Sequence, residues 1–433
     1  MSRGASKNLS KVILTVHRST HEIGGNCIEI ALDGRRLILD AGSRLDEGMD
    51  EAAASMAPPT LDVKTPVDAL IISHPHKDHY GLLSNLPAEW PVWSGKPTEI
   101  LMKISADMKG NKYRQQFKTY RAKEPFTIGP FTITPYLTDH SAFDAHMLAV
   151  ECAGKRIFYS GDFRRTGRKK VLVSELMNNP PPVDVLILEG TNLGHSKPFD
   201  TEYTLENEFQ TLFNQTKGRV FISWSAQNID RTVTIYRACL KTGRTLVLDL
   251  YTLYILQQLS QYSPSLPRLG SDNIKCVITK QLMISFKDPN CLSDPDFVTR
   301  CANSGKAFNA EKLARPRREV VMLRPTLFKD FEKKGLKLTK DDAWIFSMWK
   351  GYLIKDDYKD IQQKIDKAGA SFNIIHTSGH ASGDDLKEFA RKLAPTRIIT
   401  IHGADWDNKL EWFSNGLSSN ICRLKDGEPF LIP

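Results

Sequence analysis

The chain has 433 residues, 41% of them hydrophobic and 25% charged, with a formal net charge of +9. That length exceeds one comfortable core and implies about two or three domains of ordinary globular composition. No run of about 18 apolar residues occurs, which excludes a helical membrane span, and the seven scattered cysteines lack a C-x-x-C pair, which argues against a disulfide framework and a cysteine zinc site. The polar N-terminus, residues 1–11, has no apolar signal core, so the sequence reads as cytoplasmic. The positive balance suits a polyanionic partner such as nucleic acid, although charge alone leaves that open.

In chain order, residues 12–16, 27–32 and 36–39 read as strands, separated by Ile23-Gly24-Gly25-Asn26 and the hairpin signal Asp33-Gly34. Asp40 ends the third strand beside Ala41-Gly42, as a ligand-orienting group or as a turn carboxylate. Residues 50–65 read as a loop or short helix. The apolar run 69–72 predicts a buried strand, followed by Ser73-His74-Pro75-His76-Lys77-Asp78-His79. Pro75 and Lys77 place these residues on a loop. Three imidazoles and a carboxylate beside a buried strand each need a partner or cost a few kcal/mol, and they form a ligand set suited to zinc and similar divalent ions. His74 and His76 point the same way from an extended segment and can share one metal, while Asp78 and His79 can reach a second.

Residues 109–125 interleave Lys109, Lys112, Arg114, Lys118, Arg121 and Lys123 with Tyr113, Phe117 and Tyr120. They read either as a phosphate-backbone contact with stacking aromatics or as a solvated amphipathic helix face. Strand 131–137 ends at Asp139-His140-Ser141. The hairpin 147–152 and 156–160 ends at Gly161-Asp162-Phe163-Arg164, and strand 183–188 ends at Glu189-Gly190. A buried strand with a polar ligand type at its C-terminal end thus recurs, and one sheet edge collects these residues.

After about residue 195 the pattern becomes strand and helix in alternation: strand 219–224, helix 228–241, strand 244–250, helix 253–262, then strands 274–278, 319–323 and 344–346. This implies a parallel α/β lobe. Residues 285–318 read as irregular, with Arg315, Arg317 and Arg318 either touching an anionic substrate or simply solvated. Strand 372–375 leads into His376-Thr377-Ser378-Gly379-His380-Ala381-Ser382-Gly383, then helix 384–393 and strand 397–401 ending at His402-Gly403. Ser378, Gly379, Ala381 and Ser382 around His380 form either a backbone N–H nest for phosphate or a plain capping turn.

These motifs resemble the metallo-β-lactamase superfamily in its β-CASP nuclease branch, most closely the ribonuclease J family. The match runs through Asp40, then His74-x-His76-x-Asp78-His79, then His140, Asp162, Glu189, the stretch Ser378-Gly379-His380-Ala381-Ser382, and His402-Gly403. The resemblance implies an α/β fold: an αββα sandwich from residues 1–195 and 372–433, with a β-CASP lobe, 196–371, inserted. It implies two Zn2+ ions per chain, with Mn2+ or Mg2+ as alternatives. His74, His76, His140 and Asp162 would hold one ion, and Asp78, His79, Asp162 and His402 the other. Asp78 would orient or deprotonate the attacking water. His380 and residues 378–382 would hold phosphate oxygens and protonate the leaving group, while Asp40 and Glu189 would orient ligand imidazoles. The implied activity is cleavage of single-stranded RNA, as a 5′ exo- or endoribonuclease and as a homodimer, with no membrane partner. DNA cleavage and small-substrate hydrolysis are the alternatives. Two features depart from the pattern. The chain ends at Pro433, so the family's C-terminal domain is expected to be absent, and Ser223-Trp224-Ser225-Ala226-Gln227-Asn228 differs from the usual Ser-Asn-x-His-Arg-type stretch.

Overall fold

The computed structural model describes residues 11–45, 54–195, 198–292, 294–308, 310–314 and 317–433. Expectations for residues 1–10, for 50–53, for Arg315 and for the start of the lobe at 196 fall outside these. Among the described residues, no helix is long and apolar enough to cross a membrane.

The described strands form three seven-stranded sheets. The first contains β1 (Val12–Arg18), β2 (Cys27–Leu32), β3 (Arg35–Leu39), β4 (Ala69–Ile71), β5 (Val92–Gly95), β6 (Phe117–Tyr120) and β21 (Pro429–Leu431), in the order β21-β1-β2-β3-β4-β5-β6. The second contains β7 (Phe126–Ile128), β8 (Phe131–Leu137), β9 (His146–Cys152), β10 (Lys155–Tyr159), β11 (Val185–Leu188), β19 (Arg397–Thr400) and β20 (Asn420–Cys422), in the order β20-β19-β11-β10-β9-β8-β7. The two halves share a plan: antiparallel strands and a hairpin, then a run of parallel partners. Both hairpins turn through two residues of positive φ, Asp33-Gly34 and Ala153-Gly154, as a type I′ turn requires.

Alternation decides what each sheet face covers. Leu37 and Leu39 of β3 and Val185 and Ile187 of β11 share the core between the two sheets. Ile38 faces outward onto Tyr80, Leu83 and Met102. Leu186 and Leu188 face outward onto Phe389, Trp406 and Phe413. The result is the expected αββα sandwich.

The third sheet contains β12 (Val220–Ser223), β13 (Leu246–Asp249), β14 (Ile274–Val277), β15 (Ala307–Phe308), β16 (Val320–Met322), β17 (Ala343–Phe346) and β18 (Ser371–Ile374). All neighbours in its order, β15-β14-β13-β16-β12-β17-β18, are parallel. Its central strands β12, β13, β16 and β17 are buried on both faces, which is why they read as continuous apolar runs. Asn228 caps the helix Ile229–Thr242 by accepting from Arg231 N, and Gly243 ends it at φ 65°, as its sequence signals predict. The expected return to the sandwich at residue 372 lies inside β18, which pairs with β17, so the chain leaves the third sheet a few residues later.

Three local expectations need correction. Asp78 and His79 sit not on a loop but in the one-turn helix Lys77–Tyr80, which starts immediately after the extended residue His76. Residues 109–125 form neither an amphipathic helix nor an aromatic stacking surface. Tyr120 is buried in the inter-sheet core, Tyr113 and Phe117 pack on the outer layer, and β6 is a strand. Residues 285–318 are not irregular throughout, because Pro295–Asn303 and Ala310–Ala314 are helical.

Candidate metal centre

The C-terminal ends of β3, β4, β10, β11 and β19 meet at one edge of the sandwich. Asp40 follows β3 and is fully buried at φ 59°, a region that Asp tolerates better than most residues. Its Oδ1 accepts from Ser73 N at 2.7 Å. Its Oδ2 accepts from Ser73 Oγ at 2.7 Å, His79 Nδ1 at 2.7 Å and Tyr159 OH at 2.6 Å. Asn26 Nδ2 in turn donates to the Tyr159 oxygen. Because Ser73 Oγ–H is given to Asp40, this oxygen accepts from His74 Nδ1 at 3.0 Å. One carboxylate therefore keeps the proton of two imidazoles on Nδ1, directly for His79 and through Ser73 Oγ for His74, and leaves both Nε2 atoms facing the centre, as ligand-orienting carboxylates do.

His140 gives Nδ1–H to Gly379 O at 2.6 Å, which frees its Nε2. That atom lies 3.0 Å from His76 Nδ1, and His74 Nε2 lies 3.2 Å from the same nitrogen. Two nitrogens bound at about 2.0–2.1 Å to one tetrahedral ion lie about 3.3 Å apart, so this spacing fits a shared cation. Asp162 is central. Its Oδ2 is 3.1 Å from His79 Nε2, 3.6 Å from His74 Nε2, 4.0 Å from His140 Nε2 and 3.8 Å from His380 Nδ1. Its Oδ1 is 3.4 Å from His402 Nδ1, and Asp78 Oδ2 is 3.6 Å from His402 Nε2. Ligand atoms cluster as His74, His76 and His140, as Asp78, His79, Asp162 and His402, and as His140, Asp162 and His380. Asp162 Oδ1 and both ring nitrogens of His402 are buried without a hydrogen-bond partner. Such groups are costly unless they bind something, and their chemistry is that of a divalent-cation site.

For four of the imidazoles the electrostatics agree. Burial lowers the pKa of His74, His140 and His402, and brings His76 to about 4, which holds these rings in the neutral form that binds metals. Burial opposes charge on His79 and Asp162 as well. The carboxylates around His79 nevertheless raise its pKa well above normal, and the neighbouring imidazoles hold Asp162 well below the usual carboxylate range.

Glu189 fixes the neighbouring histidine. Its Oε1 accepts from Phe163 N at 2.9 Å, and its Oε2 lies 3.0 Å from His380 Nδ1. Burial would lower the His380 pKa, but Glu189 and Asp162 outweigh it and raise it to about 9. Around His380, Ser378 Oγ accepts from Asn192 Nδ2 and from His380 N. Gly379 supplies the carbonyl to His140, and Ala381 is buried in the outer core. Ser382 caps the helix Gly383–Leu393 by accepting from Asp385 N. The capping reading thus holds for Ser382, and His380 N is already engaged.

Asp40, His74, His76, Asp78, His79, His140, Asp162, Glu189, His380 and His402 converge, whereas Ala381 and Ser382 are taken up by the outer core and a helix cap; others join without having been singled out. Ser73, Tyr159 and Asn192 orient the site. Arg164, fully buried, donates to Ser378 O at 3.0 Å and to Asp230 Oδ2 at 2.8 Å. A hydroxyl directly before His74 was the available signal for Ser73. Nothing local marks Tyr159.

Comparison with known proteins agrees with this geometry. The family described as "Beta-lactamase superfamily domain" matches residues 35–222, and "Zn-dependent metallo-hydrolase RNA specificity domain" matches residues 367–409. Ribonuclease J of Helicobacter pylori (strain ATCC 700392 / 26695) is 24% identical, over 94% of this chain and 59% of its own length. Ribonuclease J 2 of Streptococcus pyogenes serotype M3 is 23% identical, over 88% of this chain and 68% of its own. The chain therefore spans about three fifths of the Helicobacter relative. A crystal structure of a protein of unknown function from Enterococcus faecalis V583 superposes with a TM-score of 0.75 at 17% identity, covering 97% of this chain and 100% of that one, which establishes the shared fold. Residues 35–222 and 367–409 thus carry a metallo-β-lactamase domain and the zinc-dependent RNA-specificity domain, over a centre of matching composition.

Proposed function

We propose that the protein is a metal-dependent phosphodiesterase that cleaves single-stranded RNA. The observation that carries this reading is the convergence of His74, His76, Asp78, His79, His140, Asp162 and His402 around buried polar atoms that no protein group satisfies. The RNA-specificity match at residues 367–409 and the similarity to ribonuclease J relatives support the substrate class. In this reading His74, His76 and His140 would hold one cation and Asp78, His79 and His402 a second, with Asp162 within reach of either set. Zinc, or manganese or magnesium in its place, would supply Lewis acidity and ionise a water near neutral pH.

The chain's own groups do the rest. Asp40 and Ser73 keep the Nε2 atoms of His79 and His74 turned inward. Asp78, buried beside His402 Nε2, would accept a proton from the attacking water or orient it. His380, with Nδ1–H given to Glu189, has Nε2–H to donate to a phosphate oxygen or to the departing oxygen, a role suited to a ring that stays protonated at neutral pH. Arg164 and Asn192 hold residues 378–380 in place for that contact.

The test is digestion of 5′-triphosphate, 5′-monophosphate and 5′-hydroxyl RNAs labelled at either end, beside matched DNA. RNA cleavage restored by divalent metal after chelation is the expected result. Cleavage of DNA alone, or of small esters with no nuclease activity, would overturn the substrate assignment.

A further inference from the structure

In a parallel sheet, ligands collect at the C-terminal ends of the strands, and in the lobe that edge also delivers β18 into residues 376–380. Four other strands put functional groups there. Gln227 lies beyond β12, and its Nε2 donates to Ser105 Oγ of the sandwich at 2.6 Å, with Tyr251 OH 3.4 Å away. Tyr251 follows β13 and carries the Arg324 guanidinium over its ring at 5.3 Å. Arg324 itself follows β16, paired with Asp249 at 2.7 Å. Beyond β17 come Trp349, Lys350, Gly351 and Tyr352, in the short 3₁₀ helix Lys350–Ile354 and its cap. Ser347, two residues before Trp349, donates through Oγ to Ile375 O at 2.6 Å, which ties this turn to the segment carrying His380.

Trp349 is 58% exposed, and Tyr352 and Ile354 are exposed beside it. Apolar surface of this size is unusual on a solvated turn. The Trp349 indole is nonetheless placed. A Cβ on Gly351 would come within 2.1 Å of it, so the indole lies directly on the glycine backbone. Trp349 and Tyr352 meet edge to face, with centroids 5.6 Å apart, and Lys355 Nζ sits 4.7 Å over the tyrosine ring. The nearby acids Asp356 and Asp357 are engaged by Lys359 and Lys329. An exposed indole packed on a glycine, a tyrosine and the cations Lys350 and Lys355 make an aromatic surface with a basic border. That combination recognises single strands through base stacking and phosphate attraction. It does not suit duplex, whose base faces are covered.

We infer that Trp349, held on Gly351 and flanked by Tyr352, is a base-stacking platform that takes an unpaired nucleobase of the RNA strand reaching the metal centre. The inference rests on the RNA reading above and deepens it. A twelve-nucleotide oligouridylate and an abasic phosphodiester of equal length are titrated as competitors of labelled-RNA cleavage. Wild type should favour the base-bearing strand by about tenfold, the scale of one stacked base. Trp349→Ala should remove that margin, Trp349→Phe should keep most of it, and Gly351→Ala, which displaces the indole, should reduce it. An unchanged margin in Trp349→Ala would overturn the platform while leaving the ribonuclease reading intact. Wild type that cleaves no labelled RNA would defeat both.

Discussion

Asp40→Asn is the most discriminating single change at the candidate centre. It keeps the side-chain shape and tolerates the positive φ, so the backbone is not the confounder. It replaces a carboxylate that accepts four donors with an amide that accepts on one atom only. If the amide oxygen takes the position of Oδ2, it still accepts from His79, Ser73 Oγ and Tyr159, but the new NH2 confronts the Ser73 N–H that Oδ1 now receives at 2.7 Å. In the opposite orientation the NH2 meets three donors at 2.6–2.7 Å. At least one charge-assisted bond is lost, and a buried donor faces a donor, so stability should fall by about 2–3 kcal/mol. The Nδ1 protons of His79 and His74 are held less firmly, so metal affinity and activity should drop about 10–100-fold. Thermal unfolding gives the first quantity, and competition with a chromophoric chelator on the folded variant gives the second. Tyr159→Phe is the control, because it removes one donor to the same oxygen and keeps the charge, and it should change metal affinity far less. A folded Asp40→Asn protein with wild-type metal affinity and turnover would refute the orienting role.

The other predictions address the remaining parts of the site. His76→Ala and Asp162→Ala should each abolish phosphodiester cleavage while circular dichroism shows a folded chain; full activity in either would remove the two-cation assignment. His380→Ala should slow turnover but leave the metal content of the wild-type protein, measured by elemental analysis; loss of an ion would instead make His380 a ligand, as the grouping of His140, Asp162 and His380 allows. Burial works against the Glu202 carboxylate, but Arg231 and Arg164 outweigh it and hold its pKa at about 2. That depressed value stabilises the fold above about pH 4.5, and the contribution is lost as pH falls toward 2. Glu202→Gln should therefore flatten acid unfolding in that window and cost a few kcal/mol at neutral pH, since two guanidiniums lose their counter-charge. An acid-unfolding curve identical in slope to wild type would contradict the assignment.

Much of the site was legible because its chemistry is concentrated at strand ends. His74, His76, Asp78 and His79 lie within six residues, and no structural purpose needs three imidazoles there. His140, Asp162 and Glu189 each follow an apolar run, and that placement grouped them with the loop, whereas Asp40 and His402 joined the site only through the family resemblance. The geometry of the shared carboxylate was not legible, because which His nitrogen faces Asp162 depends on Ser73, Tyr159 and Gly379 O, contacts made across 33–239 positions of chain. The aromatics of residues 109–125 misled for a related reason. Their spacing says that they are amphipathic but not which layer receives them, and Tyr120 donates inward to Ile72 O at 2.8 Å. The helix Pro295–Asn303 carried its own signal, an Asp294 cap followed by Pro at the first turn, and the surrounding polar residues obscured it.

The seam between sandwich and lobe follows from charges that the sequence scatters. Arg164 comes from the metal-site side, and Glu202, Asp230 and Arg231 from the lobe side. Arg164, Glu202 and Arg231 are fully buried. Arg231 makes two bonds to Glu202, at 3.0 and 3.2 Å, and Arg164 spans Asp230 and Ser378 O. Replaced as a set by apolar side chains, such a network would cost little stability, yet losing one member strands a buried charge at about 3–5 kcal/mol. Drawing the lobe away would do the same to Arg164. The lobe's position and the Ser378 carbonyl are therefore set together. Gly379 O, one peptide further on, receives His140 Nδ1, so the seating of the lobe also fixes which nitrogen of a ligand histidine faces the metal centre.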